Sequence, residues 1–197
     1  YFNSTRRNAL TIGGSGNPSS VTLGADGTNN YTFGSITVQS GGTLTIGGNP
    51  TLNSGLGGTA TLNVTNLTVD SGGTLTADDQ GMPGVLTGTG TKGGAHGGVG
   101  QWASGSSANA TYGSLTNPLS LGQGGTDGTY GSSGGGAILI NASGTVAVNG
   151  TMSASAPSCT MGGGAGGSIN ITAATLSGTG TIKANGAAHR AARSAGA

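Results

Sequence analysis

Two stretches of this chain, thirty-one residues apart, are nearly the same. "ITVQSGGTLTI" (36–46) returns as "LTVDSGGTLTA" (67–77). Further on, "GGGAILINASGTVAVNGTMSA" (134–154) is answered by "AGGSINITAATLSGTGTIKA" (165–184), with "GTMSA" falling on "GTIKA" at an offset of 30. "LTGTGTK" (86–92) returns as "LSGTGTIK" (176–183) at an offset of 90, close to three such periods. A unit this small cannot bury an apolar face alone. It has to stack on its neighbours, and that restricts the chain to repeat architectures.

Within each unit the pattern has period two. Ile36 and Val38 share one face, as do Leu44 and Ile46, while Ser35, Thr37, Thr43 and Thr45 point the other way. The pairs Leu62/Val64, Leu67/Val69, Val146/Val148 and Ile169/Ile171 behave alike. Short alternating runs bounded by Gly, Asn and Ser are half-buried strands. No amphipathic helical stretch precedes residue 187. The expected fold class is therefore all-β, a parallel β-helix or solenoid with coils of about 30 residues. Residues 1–90 are assigned to solenoid coils, 91–186 to glycine-rich tracts interleaved with further strands, and 187–197 to a short basic Ala-rich tail. The "SGGTLT" turns and the "GTGTIKANG" ending resemble the right-handed β-helix segments of secreted adhesins and related glycine-rich surface proteins.

A second period, of three, runs through the glycines. In "GQGGTDGTYGSSGGG" they stand at Gly122, Gly125, Gly128, Gly131 and Gly134; Gly94, Gly97 and Gly100 form a second series, and Gly164 and Gly167 a third. A left-handed extended helix has three residues per turn, so every third residue lines one edge. Glycine on that edge lets a neighbouring backbone approach and pair. With five prolines, none inside these tracts, collagen is excluded. Two readings stay open: flexible linkers, or ordered extended helices packed together. In the second, the tracts resemble the polyglycine-II packing of snow-flea antifreeze proteins and of some phage tail adhesins.

Composition narrows the function classes. Glycine supplies 45 of 197 residues and charged residues only 6%, with no glutamate; usual shares are about 7% and about 25%. Arg6, Arg7, Arg190 and Arg193 are four of the six basic residues and sit near the ends. No basic stripe serves nucleic acid, and no apolar run approaches the ~20 residues of a membrane span. No signal peptide is visible, and Tyr1 as first residue suggests a mature or trimmed chain. The lone Cys159 rules out an intrachain disulfide framework and reads as a small buried hydrophobe.

Candidate chemistry is thin. Asp78-Asp79 and Asp26 are weighed as an acid–base pair, but a glycosidase needs two carboxylates at a defined separation and groups to hold sugar. Neighbouring residues of a strand face opposite ways, and turn capping is the better role. His96 and His189 have no Cys or Asp at ligand spacing, so no metal, cofactor or catalytic residue is assigned. Sequons are more frequent than chance: eight, at Asn3, Asn30, Asn63, Asn66, Asn109, Asn141, Asn149 and Asn170, where fifteen Asn and fifty-one Ser plus Thr give about four. In "LNVT" and "INIT" the Asn and Thr are expected on the solvent face, open to a glycan. Thr-x-Thr pairs recur at 43/45, 59/61, 74/76, 89/91 and 179/181, resembling ice-binding β-solenoids.

The resulting expectation is a secreted, non-enzymatic structural or adhesive protein at the cell surface, with an ice- or glycan-binding module as the alternative. Its expected partners are copies of itself, and surface glycans or a host receptor if adhesive. Two open coil ends favour head-to-tail stacking into a filament, with Arg6, Arg7, Arg190 and Arg193 as assembly residues.

Overall fold

The computed structural model describes residues 8–24, 30–52, 57–85, 92–100, 109–126, 131–159 and 162–188. Asn3, Arg6, Arg7, Asp26, Trp102, Gly128, His189, Arg190 and Arg193 lie outside them, as do Thr89 and Thr91.

The described residues are all-β, with fourteen strands and no helix: β1 (Ala9–Ile12), β2 (Ser20–Leu23), β3 (Tyr31–Val38), β4 (Thr43–Ile46), β5 (Gly48–Asn49), β6 (Gly58–Thr59), β7 (Thr61–Val69), β8 (Thr74–Thr76), β9 (Ala137–Ala142), β10 (Thr145–Val148), β11 (Thr151–Ser153), β12 (Ser168–Thr172), β13 (Thr175–Ser177) and β14 (Thr181–Lys183). One sheet runs β1-β3-β7-β10-β13, with β9 beside β7 and β12 beside β9; a second runs β2-β4-β8-β11-β14. Every pairing in both is parallel. The exception is the two-residue antiparallel pair β5–β6.

Register follows the repeat. Ile36 lies beside Leu67 and Leu44 beside Leu75, thirty-one residues apart; Val146 lies beside Leu176 and Met152 beside Ile182, thirty apart. Because the chain progresses by one neighbour per repeat, each pass contributes to both sheets. A tight turn carries it across. In Gln39-Ser40-Gly41-Gly42 the Gly42 N–H donates to the Gln39 carbonyl at 2.9 Å, and Gly41 holds φ +74°. That is a type II turn, and its third position needs a positive φ. Asp70-Ser71-Gly72-Gly73 repeats it one pass later, with Gly72 at φ +79°.

The inward aliphatics from the two sheets meet as one core. Ile36, Val38, Leu44, Ile46, Leu62, Leu67, Val69, Leu75, Val146 and Met152 are all buried. Ile169 and Ile171, expected inside, are only half-buried, because β12 belongs to the last pass and nothing stacks beyond it among the described residues.

One joint breaks the period. Fourteen residues separate β4 from β7 and β11 from β12, but sixty separate β8 from β9. Even so β8 and β11 pair directly, Thr74 beside Thr151, so the long segment is an excursion from the stack. Its glycine-rich parts hydrogen-bond with a spacing of three. Met82 and Val85 N–H donate to the carbonyls of Gly122 and Gly125 at 2.9 and 3.0 Å. Gly122 and Gly125 N–H donate to those of Gly135 and Ser132, both at 2.8 Å. Gly134 N–H closes the triangle on the Met82 carbonyl at 2.9 Å. Three segments bonded to each other in a ring cannot lie in one flat sheet. A fourth joins from the next connection: Ala165 N–H donates to the Gln123 carbonyl at 2.8 Å and Gly135 N–H to that of Ala165 at 2.9 Å.

The echo between 86–92 and 176–183 has no counterpart in strand pairing where it can be followed. Lys92 bridges Thr126, whereas Lys183 pairs with Ser153.

Candidate functional site

The outward faces carry the most ordered chemistry. On the second sheet, register aligns Ser20, Thr43, Thr74, Thr151 and Thr181 in one column, and Thr22, Thr45, Thr76, Ser153 and Lys183 in the next. Neighbouring strands stand about 4.8 Å apart and alternate residues about 6.7 Å along a strand, so hydroxyls form a two-column grid. The grid is not uniform. Asp78 accepts from Ser153 Oγ at 2.5 Å and covers it, and Lys183 ends the second column with a charge. The 43/45 and 74/76 pairs thus share a face, as the repeat predicts. The sequence does not align Thr151 with them, because the excursion intervenes.

The first sheet carries an Asn ladder. Asn63 lies beside Asn141, and the Asn141 Nδ2 donates to Asn63 Oδ1 at 3.3 Å. Asn66 accepts the Thr145 N–H at 2.9 Å through Oδ1. Thr32, Asn63, Thr65, Asn141, Ser143 and Thr172 edge a shallow groove of about 470 Å³. Of the sequon residues, Asn30, Asn66, Asn141 and Asn149 are exposed, and Asn63, Asn109 and Asn170 half-buried. Asn63 is less open than the alternation predicts because its amide is stacked in the ladder. Asn170 is half-covered because its Nδ2 donates to Asn117 Oδ1, at 2.9 Å, on the excursion. Asn109 Nδ2 donates to the Gly93 carbonyl at 3.1 Å.

A larger cleft, about 1120 Å³, opens beside the glycine segments. Its floor is the backbone of 162–167 and its wall carries His96 and Tyr112. The two rings stack with centroids 5.0 Å apart, tilted 41°. His96 Nδ1 lies 3.0 Å from the Gly166 carbonyl, and Tyr112 Oη donates to the Leu121 carbonyl at 2.5 Å. Burial disfavours the phenolate and pushes the Tyr112 hydroxyl up to about 12. Neither residue's role as a clamp on glycine-rich backbone is visible from spacing alone, since Gly166 lies seventy residues beyond His96.

The carboxylates face apart and serve the fold. Asp78 Oδ1 also accepts the Ser155 N–H at 2.6 Å, tying the start of the excursion to the chain just past β11. Asp79, at φ +63°, accepts from Ser133 Oγ on a glycine segment. Among the described residues no three His, Cys or Asp side chains group as metal ligands. Cys159 is half-buried rather than enclosed. No helix among them is long and apolar enough to cross a membrane.

Compared with protein-family models, curated proteins and solved structures, the chain matches none.

Proposed function

We propose that this protein is a non-enzymatic extracellular structural or adhesive element: a β-solenoid whose long excursion is a polyglycine-II-like bundle braced on its side. One observation carries the reading. The groups best suited to chemistry, Asp78, Asp79, His96 and Tyr112, each direct a polar atom to a backbone or hydroxyl group of the fold itself. What remains for a partner is repetitive surface: stacked hydroxyl columns, an Asn ladder and glycine backbone. Parallel pairing at 30–31 residues supports the solenoid. Bonding at a spacing of three, to several neighbours at once, supports the glycine bundle.

A mechanical role follows from the bonding. Each interior pass is held by backbone hydrogen bonds to the passes on either side, so the stack resists bending without a thick core. Membrane-impermeant labelling of intact source cells tests the placement. The expected result is labelling of this chain on the outside; labelling only after lysis refutes it.

The hydroxyl grid favours one second reading, an ice- or glycan-binding face. The three passes through Thr22, Thr45 and Thr76 present the cleanest part of it. Inhibition of ice recrystallisation that is lost in a Thr43→Lys, Thr45→Lys variant selects that reading over a purely structural one.

A further inference from the structure

The glycine segment 162–167 bonds outward in rows. An extended helix with three residues per turn repeats its N–H and C=O directions every third residue, so its backbone offers six rows in all. Neighbouring chain meets five of them. The carbonyls of Gly162 and Ala165 accept from Ser132 and Gly135 N–H at 3.1 and 2.9 Å, and Ala165 N–H donates to the Gln123 carbonyl at 2.8 Å. Gly164 and Gly167 N–H donate to Ser132 Oγ and to the Ala154 carbonyl, both at 2.8 Å, and the Gly164 carbonyl accepts from Ala187 N–H at 2.9 Å. The Gly163 carbonyl accepts from Gly94 N–H at 2.7 Å, and the Gly166 carbonyl lies 3.0 Å from His96 Nδ1. The sixth row, the N–H groups of Gly163 and Gly166, has no acceptor among the described residues. Both glycines are half-buried and line the cleft of about 1120 Å³.

We infer that this row is a docking edge for an extended, glycine-rich segment of a partner protein, added as one more strand of the bundle; this rests on the polyglycine-II-like reading of the bundle and not on the placement outside the cell. Donors three residues apart stand about 9.3 Å apart along such a strand, and the carbonyls of a second three-fold extended chain recur at that spacing. The residues it turns toward the floor have to be glycine. Within the bundle a Cβ on Gly125, Gly164 or Gly167 would fall on the carbonyl oxygen of Gly162, Ser133 or Gly136, so strands at this separation leave no room for a side chain between them. Its other side chains are neutral, because no Asp, Lys or Arg lines the cleft among the described residues. Tyr112 and His96 add an aromatic wall, the kind of surface on which extended three-fold peptides dock. A second copy of this chain is a poor source, since its Gly122, Gly125 and Gly134 are already bonded inside its own bundle.

Amide exchange of the full chain, followed by NMR with and without a capped peptide of four Gly-Gly-Ser repeats, tests this. In the free chain the Ala165 and Gly167 amides should be slow, and those of Gly163 and Gly166 fast. Peptide at ten times its dissociation constant should slow the last two about tenfold and leave Ala165 unchanged. A Gly186→Leu variant should weaken peptide binding at least ~10-fold. Its Cβ would stand 3.8 Å from the Gly166 nitrogen and meet nothing closer than 3.7 Å, so the side chain lies against the donor without displacing backbone. Slow exchange at Ala165 shows that the variant keeps its fold. Gly163 and Gly166 amides already slow in the free, dilute chain overturn the inference, because the chain then covers its own row. Protection that appears on concentrating the chain alone overturns it in favour of a second copy. Equal slowing by a capped peptide of four Val-Thr-Ser repeats, or by maltohexaose, removes the requirement for glycine. No slowing at any peptide concentration, or binding unchanged by Gly186→Leu, also refutes it. Fast exchange at Ala165 in the free chain overturns the bundle reading as well.

Discussion

Gly167 and Gly97 both stand in period-three glycine series, yet their surroundings are opposite. A Cβ on Gly167 would fall on the Gly136 carbonyl oxygen, and one on Gly125 on that of Gly162. A Cβ on Gly97 would meet nothing within 4 Å. Periodicity therefore marks where glycine stands, but only a neighbouring backbone makes it necessary. Gly167→Ala should cost about 3 kcal/mol, because the clash is with backbone that cannot rotate away. Gly97→Ala should stay within about 0.5 kcal/mol. Chemical denaturation of the two variants checks the contrast, and equal losses would mean that the Gly167 contact is relieved at little cost. Tyr112 makes a second case at this scale. Its folded-state pKa of about 12 exceeds the ordinary 10. The folded state thus keeps the proton at a pH where the unfolded chain releases it. The associated stability is intact below pH 10 and is lost as pH rises from 10 toward 12. Melting temperatures measured from about pH 9 to about pH 11.5 should fall for the parent chain, and Tyr112→Phe should remove part of that slope.

At the scale of the strand, alternation is sufficient where passes stack on both sides, but not in β12, where Ile169 and Ile171 are half-buried. The inward pairs of β3, β4, β7 and β10 can be named from the sequence, and all of them are buried. Register between passes is equally legible wherever the repeat is uninterrupted, as for 36–46 over 67–77. It is not legible across the excursion. Nothing in residues 77–136 announces that Thr74 will stand beside Thr151, because that pairing depends on where sixty residues return the chain. Leu121 escapes the pattern for a related reason. Leu119 alternates with it across Ser120, yet Leu119 is 44% exposed while Leu121 is fully buried, seated where a Cβ on Gly48 or Gly57 would strike it. Two absent side chains on β5 and beside β6 make the hole, and a hole made of glycine leaves no pattern around the residue that fills it. The clamps formed by His96, Tyr112 and Asp78 are illegible in the same way. Each joins residues brought together by the excursion, at separations of 9 to 77 positions.

For the whole molecule, stability should grade along the stack. A repeat array approximates a sum of unit and nearest-neighbour terms, so interior units outlast terminal ones. β3 and β7 have neighbours on both sides and buried side chains, whereas β13 and β14 have, among the described residues, a neighbour on one side and three exposed residues each. The glycine segments should behave as interior structure despite having few apolar side chains of their own. Gly122, Gly125, Gly134 and Gly135 N–H groups each donate to carbonyls at 2.8–2.9 Å, and an ordered glycine needs such bonding to offset its large loss of chain entropy. Native-state hydrogen exchange should therefore protect the amides of β3, β7 and these four glycines together, and leave those of β13 and β14 faster by roughly a hundredfold or more at low protein concentration. Unprotected amides at Gly122 and Gly125 beside a protected β7 would return the glycine segments to the status of flexible linkers. A β13 and β14 as slow as β7 would mean that stability does not grade along the stack.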